Sequence, residues 1–476
     1  MAQRILTLVF LAGTLLSCPG LSAQEPDEHK LSPDCTGMVA PVIPGSNPAE
    51  RYARIFIGTA RNARFGDGQT PDRPLDGSTA AKFDAILRRY SGNPVGDPSA
   101  TPPAAAVMPV SHLIVCLGPG SFQTEGAYDF VINIHHASDR GFALGPYWHV
   151  HGAGADKTML QLTAFYVPVA GSPAAKWLHS GDGVVFQTVS DSTPGIEISD
   201  LAIDANYPTL KPRASQMGFP TTNLEAIHLR SDAGGHYVHH INVVNASGET
   251  REAFPIWIFS VNNPVPPAPP KNTGNIVEHV DMKLFGKGKC TAIALSNATG
   301  EVRFNRVESY FIGYGGWQLS RGSHFHDNIA FNTVFGFNVD SLSNTGWVID
   351  HNQVVHPAKY GIVIGEKGSF TNFELLDNKI VLNQPHSIGI LLQGHASQGT
   401  IARNSILAEG SPSGARAFAS KGSDNTGNSF LNNKISDSLE MDSGLRKSNC
   451  FSANQNQTGA AHRNVPDTQS KPCGPQ

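Results

Sequence analysis

The chain has 476 residues, a formal charge of −4 from 35 Lys+Arg against 39 Asp+Glu, and 40% apolar but only 16% charged residues, with 48 Gly and 33 Pro. Such a composition suits a large buried core and argues against a coiled coil, a collagen-like repeat or a disordered chain. No run of five basic residues occurs, so no electrostatic footprint for nucleic acid or an anionic membrane is present, and the one long apolar run sits at the N-terminus.

Arg4, the apolar stretch from Ile5 to Leu16 and the small-residue site Leu21-Ser22-Ala23 have the three-part layout of a secretory signal peptide, residues 1–23, which predicts an exported protein, periplasmic or extracellular. Leu15-Leu16-Ser17-Cys18 also resembles a bacterial lipobox, which would anchor the chain by a lipid on Cys18 instead. Beyond residue 23 no segment is long and apolar enough to span a bilayer.

Cleavage after Ala23 leaves Cys35, Cys116, Cys290, Cys450 and Cys473, room for two bridges at most in an oxidising compartment. Cys450 and Cys473 flank a short Asn- and Gln-rich tail that a bridge would pin; unpaired thiols are the alternative. No Cys/His spacing of the structural-zinc type occurs.

Residues 24–50 read as a Pro-rich linker, and residues 51–109 as an N-terminal strand, a cap helix and a loop. Ala81, Phe83, Ile86 and Leu87 stand at helical spacing behind Ser78 or Thr79 as N-cap, the one helix the pattern supports. Pro-rich inserts at 93–109 and 262–270 read as surface loops.

Residues 110–440 read as one repetitive domain: an Asn followed by an aliphatic or small residue two places on recurs at Asn305, Asn328, Asn352, Asn378, Asn404 and Asn433, at intervals of 23, 24, 26, 26 and 29, with looser members at Ile198 to Ile203, Val238 to Val243 and Ile276 to Met282. Between them recurs a second strand, as in Gly336-Phe337-Asn338-Val339-Asp340, Gly361-Ile362-Val363-Ile364-Gly365 and Gly389-Ile390-Leu391-Leu392-Gln393, with Gly316-Trp317-Gln318-Leu319-Ser320 aligned to them. Period-two alternation turns the second and fourth residues of each inward. The period is too short for a propeller blade and fits one coil of an all-β, single-stranded right-handed parallel β-helix with laddered Asn side chains, residues 441–476 forming a C-terminal tail.

Four segments then resemble the pectate-lyase-like superfamily: Gly66-Asp67-Gly68-Gln69-Thr70 with the following helix, Leu113-Ile114-Val115-Cys116-Leu117-Gly118-Pro119-Gly120, His151-Gly152-Ala153-Gly154 with Thr158, and Gly195 to Asp204. With the Asn series the resemblance covers about residues 51–440. It implies the parallel β-helix fold and a function among lyases, hydrolases, epimerases and proteins without enzymatic activity. The Asp pair and Gly-His-Gly of the polygalacturonase-like hydrolases are missing, as is the Asp-Pro-His-Asp of alginate epimerases. Calcium is the one cofactor the resemblance leaves open, without an Asp cluster to hold it.

On the second strand, two outward columns follow from the alternation: His228, Trp257, Ala294, Gln318, Asn338, Val363, Leu391, and Arg230, Phe259, Ser296, Ser320, Asp340, Gly365, Gln393. Aromatic rings flanked by His, Arg, Gln, Asn and Asp form a surface able to stack on sugars and bond their hydroxyls, unless the 262–270 loop covers them. Beside this face the turns supply Asn332, His356, Lys359 and Tyr360. Elimination from a uronate needs a base near the C5 proton and a cation or amide on the carboxylate, so His356, Lys359 and Tyr360 are the acid/base candidates and Arg230 or Asn332 the carboxylate partner. Trp257, Gln318, Asn338 and Asp340 would line the groove. The expected function is a polysaccharide lyase on an acidic polysaccharide; a non-catalytic glycan-binding scaffold, or a hydrolase or epimerase, are the alternatives, with Asp340 and Glu366 the carboxylate pair a hydrolase would need. His228, His236, His239 and His240 with Asp232 invite a metal, but alternation is expected to put His239 and His240 on opposite faces, and no metal site is assigned.

Overall fold

Each Asn of the series follows a residue in the left-handed region: Phe304, Asp327, His351, Asp377, Arg403 and Asn432 have φ between 53° and 57°. That conformation turns the backbone a full corner in one residue and leaves the Asn side chain pointing into the stack. The computed structural model describes Cys35 and residues 53–456 apart from 60–63, 92–111, 128–134, 137–140, 168–180, 251–252, 261–269, 287, 341–342, 366–367 and 423. Within it the corners stack as expected. Asn305, Asn328, Asn352, Asn378, Asn404, Asn433 and Asn454 form one ladder, each Nδ2 donating to the Oδ1 of the next at 2.9–3.1 Å.

The ladder creases a 23-stranded parallel sheet into two faces. Face A includes Ala298–Arg303, His324–His326, Val348–Asp350, Glu374–Leu376 and Thr400–Ala402; face B includes Arg306–Glu308, Ile329–Phe331, Gln353–Val355 and Lys379–Leu382. In earlier coils single long strands bend across the same corner, Glu197–Asp204 at Asp200 and Tyr237–Val244 at His240. Face C is an 11-stranded sheet including Asn223–Arg230, Ile256–Phe259, Thr291–Ser296, Ile312–Trp317, Phe335–Asp340, Tyr360–Ile364, Ile388–Gln393 and Arg416–Lys421. Successive parallel strands reached by a coil of chain make this a right-handed parallel β-helix.

The core is a set of registered columns. Val302, Phe325, Ile349, Leu375, Ile401 and Phe430 stack inside face A, and Ile293, Tyr314, Phe337, Ile362, Ile390 and Phe418 inside face C. All are buried. Each such side chain contributes about 1.5–3 kcal/mol by leaving water, so a coil is stable only when stacked on its neighbours.

Helix α1 (Ala80–Ser91) closes the N-terminal end. Thr79 caps it, its Oγ1 accepting from Lys82 N–H at 3.3 Å. Phe83 and Leu87 are buried, Phe83 against Phe122 and Phe142 at ring distances of 5.7 and 6.0 Å. A second helix, α2 (Tyr207–Gln216), corrects the expectation of a single one. Pro212 lies inside it and hides its period, but Leu210 and Ala214 are buried and Lys211 and Tyr207 both reach Glu249, each at 2.6 Å. Strands Cys450–Ser452 and Gln455–Asn456 continue faces A and B past residue 440, so the coils run further than the expected boundary.

Cys35 is bonded to Cys116, tying the N-terminal segment to strand Leu113–Leu117. Cys290 is free and buried, and burial pushes its thiol up to about 12. Cys450 is disulfide-bonded to a residue outside the described ones, where Cys473 also lies.

Candidate functional site

Face C carries the expected groove residues, with one shift of register. Ser296 pairs with Trp317 and Ala294 with Gly315, so Trp317 and Gly315 occupy the places expected for Ser320 and Gln318. The glycine that matches Gly336, Gly361 and Gly389 is Gly313, whose added Cβ would meet the Gly336 carbonyl at 2.7 Å. Gly316 is small for a different reason: Trp347 would touch a Cβ there at 2.2 Å. Gln318 therefore leaves the groove; it is exposed at the corner after the strand, φ 58°, hydrogen-bonded to Asn297. Asn338 and Asp340 keep their columns but are 2% and 8% exposed, not open to solvent as expected.

Arg230 and Trp257 do sit together on the outer face. Arg230 is paired with Asp191, Nε to Oδ1 2.5 Å, and on the same strand His228 meets Glu225, Nε2 to Oε2 2.7 Å. Trp257 is stacked on Phe259 at 3.7 Å and flanked by Phe254 at 4.6 Å, and its indole N–H donates to Ser296 Oγ at 2.9 Å. The three rings brace one another, forming a rigid aromatic wall beside two carboxylate-paired bases.

Four strands further along face C, about 19 Å at the usual strand spacing, Tyr360 opens strand Tyr360–Ile364. Its hydroxyl accepts from Lys421 Nζ at 3.1 Å, and its ring packs on Phe335 at 5.1 Å. Lys359, next to it, is exposed. Asn332 and His356 occupy the same corner in adjacent coils, both left-handed, with φ 52° and 56°. His356 Nε2 lies 2.5 Å from Glu409 Oε2. The turn thus gathers Asn332, His356, Lys359 and Tyr360 along one margin of face C, with His356 bonded to Glu409 and Tyr360 to Lys421 rather than to one another. Lys421, which sequence reading missed, comes from two coils on, where Arg416 rather than Lys421 is in register with Tyr360, and its long side chain reaches back along the face to the phenol. Glu366 lies outside the described residues.

Face A holds a second constellation. On its outer side His149 and His151, Glu197, and His239 come from three successive strands, registered Glu197 to His149 and Ser199 to both His151 and His239. All are buried. His149 Nδ1 is 3.3 Å from Glu197 Oε2, and His239 Nε2 is 3.0 Å from Glu197 Oε1. Burial alone would raise the Glu197 carboxyl, but the His239 hydrogen bond and the surrounding imidazoles hold it at about 2. Burial pushes His149 down and His151 down to about 4. The expected separation of His239 from His240 does not occur: His240 takes the left-handed corner, φ 52°, and its Nδ1 lies 2.9 Å from His239 Nδ1.

Further along face A, Glu301, His324 and His326 also converge. There the ring nitrogens of His326 are both engaged, Nε2 by Glu301 at 2.7 Å and Nδ1 by Asp327 at 2.8 Å, while His324 Nε2 meets Asp350 at 2.6 Å. In this network both His326 ring nitrogens and His324 Nε2 already face a carboxylate.

No family model and no curated protein matches the chain. Among solved structures it is similar to DFA-IIIase from Arthrobacter chlorophenolicus A6, at 13% identity over 83% of this chain and 98% of that one, with a TM-score of 0.48. It is also similar to the A-module of the Azotobacter vinelandii mannuronan C-5 epimerase AlgE6, at 12% identity over 72% and 90%, TM-score 0.43. The N-terminal fragment of the bacteriophage phi29 gene product 12 matches at 12% identity over 72% of this chain and 66% of that one, TM-score 0.41. The fold itself, a right-handed parallel β-helix, rests on the stacked parallel strands of this chain.

Proposed function

We propose that the protein acts on an acidic polysaccharide laid along the outer face of face C, cleaving it by β-elimination at the Tyr360 margin. The observation that carries this reading is the Tyr360–Lys421 contact at 3.1 Å, a phenol beside an ammonium group, with the exposed Lys359 adjacent. In elimination, a base removes the C5 proton, the electrons move to form the C4–C5 double bond, and the C4–oxygen bond breaks as the leaving oxygen is protonated. Tyr360 is the proton-transfer group, His356 the second one at the same corner, and Lys359 and Lys421 neutralise the uronate carboxylate. The wall of Phe254, Trp257 and Phe259, with Arg230 and His228, contacts sugars further along the groove.

The test is a panel of uronate-containing and neutral polysaccharides, with and without calcium, followed by ultraviolet absorbance of unsaturated product and by reducing ends. New reducing ends without absorbance would mean hydrolysis, and absence of both would end the lyase and hydrolase readings. The braced aromatic wall independently favours a second reading, glycan binding without turnover, which binding to the same panel would reveal. Residues 1–23 lie outside the described residues; we propose export, with a mature terminus at Gln24, which N-terminal sequencing of the secreted protein checks against lipidation of Cys18. No helix among the described residues is long and apolar enough to cross a membrane.

A further inference from the structure

The hydrogen-bond directions around His151 determine where its lone pair points. Ser199 Oγ donates to Asp200 Oδ2 at 2.6 Å, so its oxygen has no hydrogen left for a second partner. His151 Nδ1 lies 2.6 Å from that same oxygen and must therefore carry the hydrogen of that bond. The neutral ring then has its lone pair on Nε2, a buried atom with no hydrogen-bond partner. Nε2 faces the Glu197 carboxylate, 4.0 Å from Oε1. A lone pair turned on a buried anionic oxygen is repulsive, and a cation between the two reverses the sign.

His149 Nδ1 approaches the other carboxylate oxygen, and the candidate ligand atoms of His149, His151 and Glu197 all lie within 4.8 Å of one another. Bonds of about 2.0–2.1 Å to a tetrahedral ion put ligand atoms roughly 3.3–3.5 Å apart, so closing on an ion needs a contraction of ~1 Å. The outer partners are already arranged as a metal site needs them. Ser199 and Asp200 fix the His151 tautomer, and His239 Nε2 holds the Glu197 carboxylate from behind. We propose that His149, His151 and Glu197 bind one transition-metal cation of the zinc type, clipping adjacent coils of face A. Two imidazoles and one carboxylate favour such an ion over calcium, which takes oxygen ligands. The site is closed, His149 and His151 each being 2% exposed, so its role is structural and separate from the groove on face C.

The experiment uses the mature full-length chain, stripped with a chelator and titrated with Zn2+ and with Co2+, with visible absorption of the cobalt form and the unfolding temperature as readouts. One equivalent should bind, raise the unfolding temperature and give visible bands of cobalt held by nitrogen and carboxylate ligands. His151→Ala and Glu197→Gln should weaken binding by more than about 100-fold, and Ser199→Ala, which removes only the tautomer-fixing acceptor, by roughly 10–100-fold. His326→Ala, in the saturated network, should leave binding unchanged. Ser199→Ala is small enough to carry the test should His151→Ala fail to fold. The proposal is overturned if the folded stripped protein takes up neither ion, or if uptake is the same in wild type, Ser199→Ala and Glu197→Gln.

Discussion

Asn378 Oδ1 accepts two hydrogen bonds from Asn352, one from its backbone N–H and one from its Nδ2, both at 3.1 Å. Asn352 in turn accepts the same pair from Asn328 and donates to the Phe325 carbonyl at 2.8 Å. Every polar atom of the buried amide is used. Asn352→Ala should strand the Asn328 donors and lower unfolding free energy by about 2–4 kcal/mol, whereas the exposed neighbour Gln353→Ala should stay within about 0.5 kcal/mol. Denaturant titration of the two variants checks this; equal effects would show the ladder to be incidental.

The Cys35–Cys116 bridge closes a loop of 81 residues, long enough for a large effect on the unfolded chain. Replacing both cysteines with serine should cost about 2–5 kcal/mol. The comparison is oxidised wild type against the oxidised double variant, which keeps the Cys450 bond and so isolates the Cys35–Cys116 bridge.

His236 is fully enclosed, and burial pushes it down to about 3. The unfolded chain, near 6.5, therefore binds the proton more readily than the folded one. The stability from keeping this ring neutral is complete above about pH 6.5 and is lost as pH falls toward 3. His236→Gln should be less stable at neutral pH but lose less on acidification. Parallel slopes of stability against pH in wild type and variant would refute it.

Asp84 behaves oppositely. Burial raises it to about 7 despite hydrogen bonds from Thr124 and the Glu125 N–H. The folded chain binds its proton more tightly than the unfolded one, so this contribution is present below about pH 4 and is lost as pH rises through 7. Asp84→Asn should flatten that decline, measured by denaturation across the same interval.

At the groove, Tyr360→Phe should lower turnover by about 10²–10⁴-fold with little change in KM, as expected when a proton-transfer group is removed. His356→Ala, already bonded to Glu409, should cost less, and Trp257→Ala should raise KM chiefly. A panel in which Tyr360→Phe retains full turnover removes the assignment.

The coils were legible because an Asn at a left-handed corner is a chemical requirement repeated at a nearly fixed interval, and because alternating aliphatics mark the inward columns. The register of one strand was not, since Ile312–Trp317 contains three glycines and only their packing, Gly313 on the Gly336 carbonyl and Gly316 on Trp347, tells which is the spacer. Helix α2 was hidden by Pro212. The His149, His151, Glu197 and His239 constellation was invisible for a stronger reason: its members belong to three early strands without the Asn corner, 42 residues separate Glu197 from His239, and only the pairing of strands brings them together.

Along the Asn ladder the chain takes 23, 24, 26, 26, 29 and 21 residues to return to the same corner. The strands on either side of the corner stay in register throughout, so the surplus is confined to the connections between faces B and C and between C and A. Length is thus a free variable only along the two borders of face C, where Tyr360, His356 and Lys421 stand. A lineage of such chains can add or trim a loop beside the groove, changing what it admits, without moving an atom of the amide stack; a single extra residue at the corner would displace every coil below it.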